Sequence, residues 1–128
     1  MKTQRHCQIL LAGILVGLLG ACAHYPHHGP GALVGTWKNS MGTLWILRED
    51  GTFDVDLDHD GKRDAWGKYK VHEDTVTLIR KGGFAPKNCR AKGVYHFTRT
   101  GEDALQFTLV EDTCKLRVKN VTLPWNRN

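Results

Sequence analysis

The sequence predicts an all-β protein, a small eight-stranded antiparallel up-and-down barrel. From Val34 onward the chain is a succession of short β-prone runs separated by turn residues, with no amphipathic stretch long enough for a substantial helix. Phe53, Val55 and Leu57 alternate with Asp54, Asp56 and Asp58, and Leu105, Phe107 and Leu109 repeat the pattern, giving a strand one core face and one water face. Eight antiparallel strands joined mostly by short turns escape exposed edges by closing on themselves. A two-sheet sandwich is the alternative.

In order, strands are expected over 34–38, 43–48, 52–57, 65–72, 75–80, 93–98, 104–110 and 116–123. Glu49-Asp50-Gly51, Glu73-Asp74 and Thr100-Gly101-Glu102-Asp103 are compact and polar, as hairpin connections should be. Only the segment 81–92 is long. Upstream, His24 to Gly31 has no periodicity and two prolines, so it reads as an extended tether. Its histidines, His24, His27 and His28, are metal-capable, but a flexible segment offers them no preformed geometry.

The first residues are a processing signal. Lys2 and Arg5 are followed by an apolar run, Ile9 to Leu19, too short to span a bilayer comfortably, and then by small residues. Leu19-Gly20-Ala21-Cys22 resembles the lipobox of bacterial lipoproteins. The resemblance implies a signal peptide over 1–21, cleavage before Cys22 and acylation of its thiol, for instance by palmitate. It also implies a lipidated tether over 22–32 and a barrel domain over 33–128. The non-acidic Ala23 after the cysteine implies sorting to the outer membrane of a Gram-negative envelope, facing the periplasm. A plain secretory signal or a retained anchor would use the same apolar run without the cysteine.

Removing 21 of 128 residues leaves 107, enough for one small domain. The remainder keeps 16 of 18 Lys and Arg against 13 Asp and Glu, a net charge near +3 with histidines neutral. Lys62, Arg63, Lys68 and Lys70 are interleaved with acidic residues rather than gathered into a patch, which argues against nucleic acid as a partner. The membrane, reached through the lipid anchor, is the expected neighbour. Cys7 belongs to the signal and Cys22 to the lipid, leaving Cys89 and Cys114 as one disulfide in an oxidising compartment. A metal or redox pair lacks CxxC spacing and an adjacent histidine.

Gly35-Thr36-Trp37 resembles the Gly-x-Trp opening of lipocalins and the wider calycin barrels, and fatty-acid-binding proteins and avidins begin similarly. The run Gly-Thr-Trp-Lys-Asn-Ser-Met-Gly-Thr is similar to the avidin opening, which would put Asn39 and Thr43 on the ligand side. In lipocalins a late arginine packs across this tryptophan and closes the barrel bottom. The resemblance therefore pairs Trp37 with Arg117 on the expected last strand; an ordinary buried tryptophan and a solvated arginine are the alternative.

The sharpest chemical motif is Asp56-Leu57-Asp58-His59-Asp60-Gly61-Lys62-Arg63-Asp64, with carboxylates at loop positions 1, 3, 5 and 9 and glycine at position 6. A hard cation wants several oxygens at once, and alternating carboxylates around a glycine turn can supply them. The motif resembles the calcium loops of EF-hands, dockerins and thrombospondin type 3 repeats. It departs from the EF-hand at position 12, where Gly67 stands in place of a bidentate Glu. Calcium is the expected cofactor, in a structural role, with Asp56, Asp58, Asp60 and Asp64 as side-chain ligands and the Lys62 carbonyl as another. A polar hairpin with no ion is the alternative.

No nucleophile with a base and no paired carboxylates form a catalytic motif, and Ser40 is the only serine. His72 and His96 fall in expected strands, where an exposed or satisfied histidine is commoner than a general base. A non-enzymatic cell-envelope lipoprotein with an accessory or binding role, its partner an envelope protein, asks least of these residues. Two alternatives stand beside it: a carrier of a small apolar ligand held in an unfilled barrel, and a periplasmic inhibitor of a hydrolase acting through the 81–92 segment with Gly82, Gly83, Phe84 and Pro86.

Overall fold

The computed structural model describes residues 24–128, which form one closed antiparallel barrel with strands in sequence order. The signal-like segment 1–21 and Cys22 lie outside the described residues. A single 3₁₀ turn, Pro30–Ala32, leads into β1 (Gly35–Asn39), β2 (Leu44–Leu47), β3 (Thr52–Asp56), β4 (Ala65–His72), β5 (Thr75–Gly83), β6 (Lys92–Gly101) and β7 (Ala104–Asp112). A helix, α1 (Lys115–Val121), precedes β8 (Trp125–Arg127), which pairs with both β7 and β1 and closes the sheet. The up-and-down barrel expected from the sequence is therefore the fold, not a sandwich.

Alternation builds the interior. Trp37, Trp45, Leu47, Phe53, Tyr69, Val76, Leu78, Tyr95, Phe97, Leu105, Phe107 and Trp125 are all buried, and Val55 packs against them. The pattern fails at Leu109, which is half exposed beside the register shift that pairs Tyr95 with Leu109 but Val94 with Glu111.

The expected strand over 116–123 is instead helical. Leu, Lys and Arg are good helix formers, Thr122 Oγ1 donates to the Val118 carbonyl one helical turn back, and Arg117 reaches out of the helix to Asp112 at the end of β7. Pro124 then ends the helical stretch, and the eighth strand is only three residues long. Strand β5 also runs further than expected, to Gly83, so the long connection shortens to 84–91.

Because the strands alternate in direction, the connections gather at two ends. One end carries the β1–β2 turn, the acidic β3–β4 loop, the β5–β6 loop and α1. The other carries the remaining turns and the 3₁₀ turn, and it is sealed. Ala32, Leu33 and Trp37 have no exposed surface there, and Trp37 Nε1 donates to the Leu33 carbonyl at 2.8 Å.

Candidate functional site

The sealed end corrects one expected pair. Arg117 does not lie on the last strand and does not approach Trp37; it belongs to α1, at the opposite end of the barrel. The cations over the Trp37 ring are Arg127 of β8, 4.4 Å from the ring centroid, and Arg99 of β6, at 5.2 Å. Arg99 also donates to the carbonyls of Ala32, Gly101 and Glu102, tying the 3₁₀ turn to the β6–β7 turn. Burial lowers the Arg99 pKa, and the Arg127 charge acts the same way.

Arg117 has a different task. Its guanidinium pairs with Asp112, Nε to Oδ2 at 2.5 Å and Nη2 to Oδ1 at 2.6 Å, and donates to the carbonyls of Arg90, Ala91 and Lys92. The Asp112 side chain has no exposed surface, and it also accepts from the Tyr95 hydroxyl and the Cys114 N–H. Burial opposes the Asp112 charge, but Arg117, Tyr95 and the Cys114 N–H together hold its carboxyl below the usual range. Burial, and then Asp112 itself, pushes the Tyr95 hydroxyl far up. With the Cys89–Cys114 disulfide, this network fixes α1 and the β5–β6 loop across the open end.

Between those elements lies an apolar cavity of about 290 Å³. Its floor is the barrel interior: Trp45, Phe53, Val55, Leu78 and Trp125. Trp45 packs at 5.1 Å from Phe107 and 5.3 Å from Trp125, ring centre to ring centre. Its rim comes from the connections, with Met41, Phe84 and Leu116 respectively 53%, 55% and 56% exposed, so the mouth is open and greasy. Both cysteines of the disulfide line it.

Of the two residues expected on a ligand side, Thr43 lines the cavity but Asn39 does not. Asn39 is occupied structurally, accepting from the N–H groups of Met41 and Thr43 and donating to Asn120 of α1. The sequence reading overlooked Arg80. Val76 and Leu78 occupy the inner face of β5, so the same alternation places Arg80 on that face, where it lines the cavity.

The acidic loop sits at the same end. Asp56, Asp58 and Asp64 each bring a carboxylate oxygen within 4.8 Å of the others, a spacing that could hold a metal ion. Gly61 at φ 85° and His59 at φ 58° make the tight curl. Asp60 is not in the group: its carboxylate accepts from the Lys62 N–H at 2.8 Å, which puts Lys62 in the turn through its N–H. Asp56 accepts from the N–H groups of Asp60 and Gly61, and Asp64 from that of Leu57. Burial works against the charge of Asp56, but those N–H groups hold its carboxyl low. Desolvation and the charges of Asp60 and Asp64 push Asp58 up.

Comparison with family profiles, curated proteins and solved structures returned no match to this chain.

Proposed function

We propose that this protein is a non-enzymatic binding barrel of the cell envelope, tethered through Cys22, that takes a small, largely apolar molecule through its open end. The observation that carries the reading is the cavity itself. An interior filled by its own side chains would leave only an accessory role, whereas an open apolar cavity of about 290 Å³ gives room for a small ligand. The β5–β6 loop favours this over a hydrolase inhibitor, because Phe84, Pro86 and Cys89 form the cavity wall rather than a free-standing loop.

Calcium is the loop's natural ion in this reading. Asp56, Asp58 and Asp64 supply hard oxygen donors and Asp60 serves the turn, and the expected affinity is that of extracellular modules, about 10⁻⁴ to 10⁻³ M. Leu57 and Ala65 bracket the loop and line the cavity, so an ion there would brace one wall of the mouth.

The lipid anchor and outer-membrane location rest on the lipobox resemblance. No helix among the described residues is long and apolar enough to cross a membrane. The functional test is a fluorescence titration of the full chain with neutral 1-aminonaphthalene. Saturable binding is expected, and Ala65→Phe, which fills the cavity, should abolish it; binding unchanged in that variant would refute the proposal.

A further inference from the structure

The cavity is apolar in its floor but carries charge in its wall. Every charged side chain lining it is cationic: Arg80, Arg117 and Lys119. Arg117 is neutralised by Asp112. Arg80 is not paired with any carboxylate among the described residues, and its Nε is fully buried without a hydrogen-bond acceptor. The Trp45 indole N–H is likewise buried and unpartnered, in a residue only 2% exposed. Among the described residues these are the two buried side-chain donors left unsatisfied, and both belong to residues that line this cavity, Trp45 from β2 and Arg80 from β5. The other buried tryptophans are satisfied by carbonyls, Trp37 by Leu33 and Trp125 by Val121, so an orphaned indole N–H is not the habit of this core.

Leaving a buried donor unmade is costly, and a guanidinium in an apolar wall more so. A β-bulge stands beside Arg80, where the β4–β5 register shifts between Trp66 and Gly67, with Gly67 opposite Arg80 and Gly82 opposite Trp66. Bulges of this kind re-aim side chains next to binding sites.

We infer that the ligand is an amphipathic anion, its apolar body against Trp45, Phe53, Leu78 and Trp125 and its carboxylate head received by Arg80 and the Trp45 indole N–H. The inference rests on the proposed cavity function and adds the class of ligand. A carboxylate suits the two donors because it offers two acceptor oxygens and the charge that the wall lacks.

Octanoate and octan-1-ol share one chain and differ in the head, so calorimetric titration of the full chain with each isolates the head's contribution. Octanoate should bind roughly tenfold more tightly than the alcohol, the size of effect one charged hydrogen bond supplies. Arg80→Met should abolish that preference by bringing the octanoate affinity down to that of octan-1-ol in the same variant, Arg80→Lys should keep part of it, and Trp45→Phe should weaken octanoate more than the alcohol. Equal affinity for the two probes in the wild type, or a preference that survives Arg80→Met, would overturn the inference while leaving the cavity function standing. Failure of both probes to bind would defeat the two together. Arg80→Met should melt no lower than the wild type, since no bond is lost; a large drop would show the guanidinium to be structural and would equally overturn the assignment.

Discussion

Gly35 is where the Gly-x-Trp run acquires its physical meaning. Its φ of 147° lies outside the usual range of side-chain-bearing residues, and a Cβ there would come within 2.4 Å of Arg127 Nη1. The glycine thus leaves room for the arginine that lies over Trp37. Gly35→Ala should cost about 1–3 kcal/mol in denaturant unfolding through backbone strain and displacement of Arg127. Trp37 was legible in the sequence, but its partner was not. Arg117 sits in a run whose alternation imitates a strand, while Arg127 lies near the C-terminus, beyond a proline, where no strand was expected. Arg80 was legible in principle from the Val76-Leu78-Arg80 spacing, a cation at a core-facing position. The Arg117–Asp112 pair makes a sharper prediction. Arg117→Ala leaves Asp112 buried and uncompensated, which should cost about 3–5 kcal/mol by denaturant unfolding. The pair also sets an acid response. A carboxylate whose folded pKa is depressed contributes stability above its unfolded pKa, about 3.9, and loses it as pH falls toward the folded value. The melting temperature should therefore fall below about pH 4, and Asp112→Asn should flatten that fall.

Single elements decide how the open end is held. The Cys89–Cys114 disulfide, expected from cysteine counting alone, spans 25 residues and joins the β5–β6 loop to the start of α1. Cys89→Ser should lower stability by about 3 kcal/mol, and reducing agent should lower the melting temperature of the wild type but not of the variant. The acidic loop was also legible as a motif, since spacing alone brings Asp56, Asp58 and Asp64 together. The place of Asp60 was not, because its side chain answers to the local N–H of Lys62 rather than to the spacing. Millimolar calcium should raise the melting temperature of the full chain. Asp58→Asn with Asp64→Asn should remove the rise, and Asp60→Asn should largely keep it. Helix α1 escaped the sequence reading because its seven residues carry no amphipathic repeat of any length. The contacts that anchor it lie outside the helix, where Asp112 pairs with Arg117, Asn39 bonds Asn120 and the Cys89–Cys114 disulfide ties down its start.

The whole molecule is a barrel with unequal ends. One is plugged by Leu33 and Trp37 beneath two arginines; the other is open between apolar rim residues, with unsatisfied donors inside. The barrel could be read from strand count, turn chemistry and the need to remove edges. Whether its interior was filled could not, since that depends on how side chains from eight strands and a helix meet across the axis. The four tryptophans report on this division directly, because Trp45 and Trp125 line the cavity, Trp37 lies at the sealed end and Trp66 lines neither. The most direct measurement is an NMR titration of the full chain with 1-aminonaphthalene, following the four indole N–H signals. The binding account predicts saturable shifts at Trp45 and Trp125 with Trp37 and Trp66 unmoved; shifts confined to Trp66, or none at any indole, would contradict it.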